Sequence, residues 1–294
     1  MTPVRRLVRR TTRLLCAVIL TGCAPPTPAP DGAGAAERIV SLAPHLTEMA
    51  YAVGAGDRLV GAVEFSDYPA AALELPRIGD AFRVDYEVLA ALSPDLILAW
   101  RTGNPPALLD RLRSLGYRVE EFDPATLDSL AGQLLQLGEY AGTRDAAARA
   151  AAALRSGLEA LGDRYGPAST LRVFYQVARE PLFTVSNRHV IGQIIQLCGG
   201  INVFGDLEQL TPVVGIEAVL EAAPDVILIG SARAGALHGG ADWAQWSALP
   251  AARTGDIHVI DADLVSRPGP RVLLGAEQVC EVLAAARARA ELIR

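Results

Sequence analysis

Three short segments carry the side chains that could do chemistry. They are Phe65-Ser66-Asp67-Tyr68-Pro69, Trp100-Arg101-Thr102-Gly103-Asn104-Pro105 and Asp263-Leu264-Val265-Ser266-Arg267. The first two directly follow strand-like runs, and loops at strand C-termini are where α/β lobes hold ligands. Tyr68 and Trp100 there offer flat, half-polar surfaces to a flat organic ligand. Each has a plainer reading, with Trp100 closing a sheet edge and Tyr68 packing under a turn. Asp263 and Arg267 can present an acceptor and a donor to an amide-bearing ligand, or pair with each other as a local salt bridge. Covalent chemistry has no motif: there is no G-x-S-x-G elbow, P-loop or H-E-x-x-H. The four His (His45, His189, His238, His258) include no i, i+4 pair, so no built-in metal or cofactor is expected. His45, just before a helix start, can line a cleft or serve as a capping or surface residue. The chain reads as a binder, not an enzyme.

Short apolar runs alternate with helical patterns, and this order positions the three segments. Strands are expected at 38–42, 59–63, 95–100 and 117–122, then at 171–177, 225–229 and 256–260. Helices are expected at 47–53, 105–115, 190–197 and 271–292. Such alternation argues for an α/β fold with mainly parallel sheets. One unit recurs: the stretch from Glu87 through Pro94-Asp95 to Leu98 overlays the stretch from Glu217 through Pro224-Asp225 to Leu228. In both, Glu opens a short helix, Pro ends it and a buried strand follows. The repeat implies two similar lobes. The Ala-rich run 143–165, with Thr143 placed to cap it, predicts one long helix joining the lobes and limited opening between them.

The ends of the chain concern address rather than fold. All 27 basic residues are Arg, and five of them (Arg5, Arg6, Arg9, Arg10, Arg13) crowd an acid-free start. The formal charge is −6, but the remaining 22 Arg face 33 Asp and Glu, a net −11. An acidic body does not grip a polyphosphate backbone, which argues against nucleic-acid binding. The apolar run Leu14 to Leu20 is too short to span a bilayer and reads as an export signal. Leu20-Thr21-Gly22-Cys23 resembles the lipobox of bacterial lipoproteins, in which the Cys is lipidated; the alternative is an ordinary signal peptide containing a Cys. Ala24 to Ala36 is a Pro-, Ala- and Gly-rich tether. Cys198 and Cys280 remain in an oxidising compartment, either as a disulfide or as two buried thiols. With 51% apolar residues the body can bury a real core. The expected division is 1–22 signal, 23–36 tether, 37–140 N-terminal lobe, 141–166 connecting helix and 167–294 C-terminal lobe.

From 37 to 290 the chain resembles the periplasmic substrate-binding proteins of ABC importers for cobalamin, haem and siderophores. The motifs that carry the likeness are Arg38-Ile39-Val40-Ser41-Leu42 through Thr47-Glu48, Ser66-Asp67-Tyr68-Pro69, Pro94-Asp95-Leu96-Ile97, Ala99-Trp100-Arg101 with Gly103-Asn104, and Cys198-Gly199-Gly200 with Asn202 and Phe204. The Ser-Asp-Tyr-Pro and Ala-Trp-Arg-x-Gly-Asn motifs are more particular to the corrinoid branch. The resemblance implies two Rossmann-like lobes joined by a single long helix, the class III architecture. It implies corrinoid contacts at Phe65, Trp100 and 263–267, to which the loop reading adds Tyr68. It implies permease docking through Glu87 and Glu217, and a Cys198–Cys280 disulfide. Phe65 stands where that branch has Tyr, and Trp residues of the branch are missing near Ala81 and Thr211, for which Trp243 and Trp246 are the available substitutes. The implied partners are transmembrane permease subunits, a corrinoid as transported ligand and, through the anchor alone, a membrane. The implied state is a monomer on the periplasmic or cell-surface side. The rival readings are a haem or ferric-siderophore binder, with His45 or Tyr68 as axial ligand, and an exported α/β hydrolase.

Overall fold

Strands apolar on both faces belong in parallel sheets covered by helices on each side, and the computed structural model holds two such sheets. It describes residues 34–166, 170–231 and 243–293. The segment 1–22, Cys23, most of the tether and His238 lie outside the described residues. Among the described residues no helix is long and apolar enough to cross a membrane.

The first sheet contains β1 (Ile39–Ser41), β2 (Leu59–Ala62), β3 (Leu96–Trp100) and β4 (Val119–Phe122), in the order β2-β1-β3-β4. The second contains β5 (Leu171–Gln176), β6 (Gly200–Asn202), β7 (Val226–Ser231) and β8 (Ile257–Asp261), in the order β6-β5-β7-β8. All six pairings are parallel. The two orders are the same, so the α/β reading and the repeat describe one topology used twice.

Alternate residues of each strand enter different cores. On β3, Leu96 and Leu98 join a central core while Ile97 and Ala99 join an outer one. On β7, Val226 and Leu228 join the same central core while Ile227 and Ile229 join a second outer one. The central core is therefore continuous from one sheet to the other, through Ile39 and Leu98 on one side and Val173 and Leu228 on the other. Each buried Leu or Ile contributes about 1.5–3 kcal/mol.

The recurring Pro-Asp has a local cause. Helix α2 (Tyr86–Leu92) ends on Ser93 at φ 45°, a left-handed conformation. The equivalent later helix (Ile216–Ala222) ends on Ala223 at φ 43°. Beyond each turn, Asp95 accepts from the backbone N–H of Glu37 and Arg38, and Asp225 from that of Arg172. The Arg38 and Arg172 guanidinium groups donate to the freed helix carbonyls of Leu92 and Ala222. Arginine, aspartate and helix end thus form one joint in each lobe.

The remaining helices are α1 (Pro44–Ala52), α3 (Pro106–Ser114), α4 (Leu127–Tyr140), α5 (Arg144–Tyr165), α6 (Val190–Leu197), α7 (Ile216–Ala222), α8 (Pro250–Thr254), α9 (Ala262–Ser266) and α10 (Val272–Ile293). Helix α5 runs from the first lobe to the second, packed along α4 and against α10. Thr143 occupies its N-cap position, but its hydroxyl makes no capping bond and is buried without a partner. The capping expected there is absent because Thr143 adopts φ −112°, ψ 38° rather than the extended backbone a capping side chain needs. A disulfide joins Cys198, at the end of α6, to Cys280 on α10, and both residues are fully buried.

Candidate ligand-binding cleft between the lobes

A cleft of about 450 Å³ opens between the C-terminal ends of the two sheets. The first lobe lines it with Trp100, Thr102, Asp123 and Pro124, and the second with Arg188, His189, Glu208, Leu210, Ser266 and Pro268. An aromatic platform therefore faces a mixed set of donors and acceptors. Among the described residues no group of three or more His, Cys, Asp and Glu could hold a metal ion.

Trp100 is held on several sides. Its backbone N–H donates to Asn104 Oδ1 at 2.6 Å, and the Asn104 amide donates to the Leu42 and Ala81 carbonyls. Asn104 is buried, so the turn after β3 is tied to two neighbouring loops. A Cβ at residue 103 would overlap the indole, which is why Gly103 stands there. The imidazole of His45 meets the indole in a T-shaped contact, with centroids 5.1 Å apart. His45 is itself buried and its Nε2 has no partner. Burial first, and then the Arg267 charge, push its pKa down to about 3, so the ring is neutral at physiological pH. His45 thus supports the platform from behind and is not the capping or surface residue considered as an alternative.

Phe65 and Tyr68 stand apart from that cavity. Phe65 is 75% exposed and held at φ 65°, a conformation that costs a bulky residue about 1 kcal/mol or more. Tyr68 is 45% exposed and carries the Arg271 guanidinium 4.0 Å above its ring centroid. It lines a second cavity of about 390 Å³ with Glu48, Pro270 and Arg271. The loop bearing both aromatics is pinned by a Thr47–Ser66 hydroxyl bond and by Arg77, which donates to the Ser66 carbonyl.

The stretch 263–267 is the body of helix α9 and its C-cap residue Arg267, which divides its side chains. Ser266 reaches the cleft rim, and its hydroxyl donates to Ala262 O. Leu264 is half-buried. Val265 is fully buried in the central core, so its side chain is not available to a ligand. Asp263 and Arg267 form the local salt bridge at 3.0 Å, and Arg267 also crosses to the first lobe. There it donates to Asp67 at 2.6 Å and to Glu48 at 3.3 Å. Burial alone would raise the Asp67 pKa, but the Arg267 hydrogen bond and charge outweigh it and hold the carboxyl below its ordinary range.

Glu48 and Arg271, which complete this latch, were not expected as site residues. Glu48 is only 4% exposed and accepts from Arg271 Nε at 2.8 Å and Nη2 at 2.5 Å. A carboxylate inside the apolar face of α1 was the available signal, because such a charge requires a partner. Arg188, His189 and Glu208 in the cleft were likewise not anticipated. Trp243 does not enter the cleft: it is buried against Phe174, and its Nε1–H donates to Gln176. With Trp246 it lines a separate cavity of about 160 Å³.

Glu87 and Glu217 occupy the same place in the two lobes, the first turns of α2 and α7. Both are exposed and neither makes an ion pair among the described residues.

The profile of the periplasmic binding protein family matches residues 39–264. The vitamin B12-binding protein of Vibrio cholerae is 41% identical over 249 residues, 84% of this chain and 89% of that protein. The crystal structure of the periplasmic vitamin B12 binding protein BtuF of Vibrio cholerae superposes with TM-score 0.78 at 39% identity, covering 85% of this chain and 98% of that one. The periplasmic heme-binding protein RhuT from Roseiflexus sp. RS-1 superposes with TM-score 0.76 at 24% identity, over 86% of this chain and 100% of that one. At that identity the second superposition speaks for the fold alone.

Proposed function

The chain belongs to the periplasmic binding protein family, and on that premise we propose that it captures cobalamin or a related corrinoid and delivers it to an ABC importer. The observation that carries the ligand choice is the cleft itself. Trp100 offers a flat apolar face, and around it stand donors (Arg188, His189) and acceptors (Asp123, Glu208, and the hydroxyl oxygens of Thr102 and Ser266, whose protons go to Asp123 and Ala262 O) together. A corrinoid presents a flat macrocycle edged with carboxamides, which need both kinds of partner. Haem presents anionic propionates, which two cleft carboxylates disfavour. An axial ligand is also poorly supplied, since His45 lies buried behind Trp100, Tyr68 lies beneath Arg271 in another cavity, and the cleft imidazole of His189 accepts from the Ile191 N–H through Nδ1, which leaves the proton on Nε2. Phe65, outside the cavity but 75% exposed, is assigned a contact with the part of the ligand that projects beyond the cleft. Asp263 and Arg267 are assigned a contact through whatever hydrogen-bonding capacity the latch leaves free.

Docking to two transmembrane permease subunits is assigned to Glu87 and Glu217, supported by their equivalent, exposed and unpaired placement. Segment 1–22 is assigned to export, Cys23 to lipid anchoring with 24–36 as tether, and residues 37–140, 141–166 and 167–294 to lobe, connecting helix and lobe. Ala24 rather than Asp after the anchor points to the outer membrane where the cell has one. The protein works as a monomer, with no cofactor of its own. Calorimetric titration of the mature protein with cyanocobalamin tests the reading. Saturable one-to-one heat is expected. No heat and no spectral change at tens of micromolar, or a Soret shift with hemin in its place, overturns it.

A further inference from the structure

His189 holds two jobs that the helix it caps does not both require. It is the N-cap of α6, and its Nδ1 accepts from the Ile191 backbone N–H at 3.1 Å. A ring nitrogen that accepts carries no proton, so the neutral imidazole must hold its proton on Nε2. Burial lowers the His189 pKa to about 4, so the ring is neutral at working pH even with Arg188, Glu208 and Asp123 lining the same cleft. Its Nε2 has no hydrogen-bond partner among the described residues, although His189 lines the cleft. Ser, Thr, Asn or Asp would cap the helix as well with a smaller side chain. Capping alone therefore does not account for an imidazole at this position.

We propose that His189 is a ligand-contacting residue, its Nε2–H fixed by the helix cap as a permanent donor to a side-chain carbonyl of the bound corrinoid. The same lock makes it a poor metal ligand, because the nitrogen that the helix leaves free holds the proton. This rests on the corrinoid reading and adds a specificity residue to it: the donor selects for an acceptor at one place on the ligand rim.

The test uses the mature protein and cyanocobalamin. His189→Asn keeps a capping side chain but is too short to place the donor, so melting temperature should hold while affinity falls about two- to twelvefold, the range of one neutral hydrogen bond. His189→Ala should lose both affinity and stability. Long-range proton–nitrogen correlation of the imidazole should show the proton on Nε2 in the free protein and a shifted resonance when ligand is bound. Wild-type binding with unchanged affinity in the Asn variant overturns this proposal alone, as does a ring protonated on Nδ1. No binding by the wild type overturns the corrinoid reading, and this proposal with it.

Discussion

Replacing Glu48 by Gln should weaken the whole molecule more than any surface change, because this carboxylate holds charges from the opposite lobe. It is 4% exposed and accepts two bonds from Arg271 and one from Arg267, whose side chains are themselves only 17% and 13% exposed. Arg267 would keep Asp67 and Asp263 after the substitution. Arg271 would keep the face of Tyr68 and a neutral amide oxygen in place of the carboxylate, both weaker partners for a half-desolvated charge. Removing one member of a buried pair costs about 3–5 kcal/mol, a large share of the roughly 5–15 kcal/mol that a folded chain holds. At about 2 °C per kcal/mol for a body of this size, melting should fall by about 6–10 °C. Urea unfolding should show a lower midpoint with an unchanged slope. The companion variant Glu48→Met with Arg271→Met should cost less than Glu48→Gln alone, since no charge is then left unpaired. A single-variant loss below about 1 kcal/mol, or a double variant worse than the single, refutes the reasoning, since either result would mean that water already solvates the latch.

Acid should destabilise the protein early. His45 and His189 have pKa values depressed to about 3 and about 4, against about 6.5 when unfolded. The unfolded chain therefore takes up protons first as pH drops below about 6.5, and each His removes about 1.4 kcal/mol per pH unit down to its folded pKa. Urea midpoints that stay flat from pH 7 to 5 would contradict this, and His45→Phe should halve the slope. Opening the Cys198–Cys280 disulfide, which spans 82 residues, should cost up to about 4–5 kcal/mol, read as a lower urea midpoint in the double Ser variant; a loss under about 1 kcal/mol would show that the bond is not a staple. Replacing Glu87 and Glu217 together by Ala should leave corrinoid affinity unchanged while cutting importer-dependent uptake by about tenfold or more. Full uptake by the double variant would remove them from docking.

The repeat was legible because its cause is local. A left-handed residue closing a short helix, a proline after it and an aspartate tied to the next chain leave the same spacing wherever the joint is built. Strands covered on both faces read as unbroken apolar runs, so seven of the eight could be placed to within about two residues; β6, three residues that include Gly and Asn, offers no such run. Helix α4 was passed over, although Thr126 and Ser129 form a capping box at its start. Gly132 and Gly138 look like breaks in its pattern. At Gly138 the glycine serves close approach instead, since a Cβ there would overlap Ala147 of α5. A sequence does not distinguish a glycine that ends a helix from one that lets two helices touch.

The site was legible only where single residues sufficed. Trp100 could be placed beside the cleft because it ends a strand, whereas the partners of Glu48 lie more than 200 residues away along the chain. As a bare sequence, 263–267 offers five side chains; the turn of α9 points Val265 inward, and its C-cap Arg267 pairs back onto Asp263. These two findings bear on how the lobes work together. The helix spends its arginine on the other lobe, and the central core runs unbroken between the sheets. Both features oppose wide opening, for which apolar surface would have to be exposed and paired charges separated. A ligand then meets a cleft whose width is already set, so less binding free energy goes into ordering the protein. Affinity in such a cleft depends on how well a few fixed groups match the ligand rim, which places selectivity with residues such as Trp100 and His189 rather than with closure.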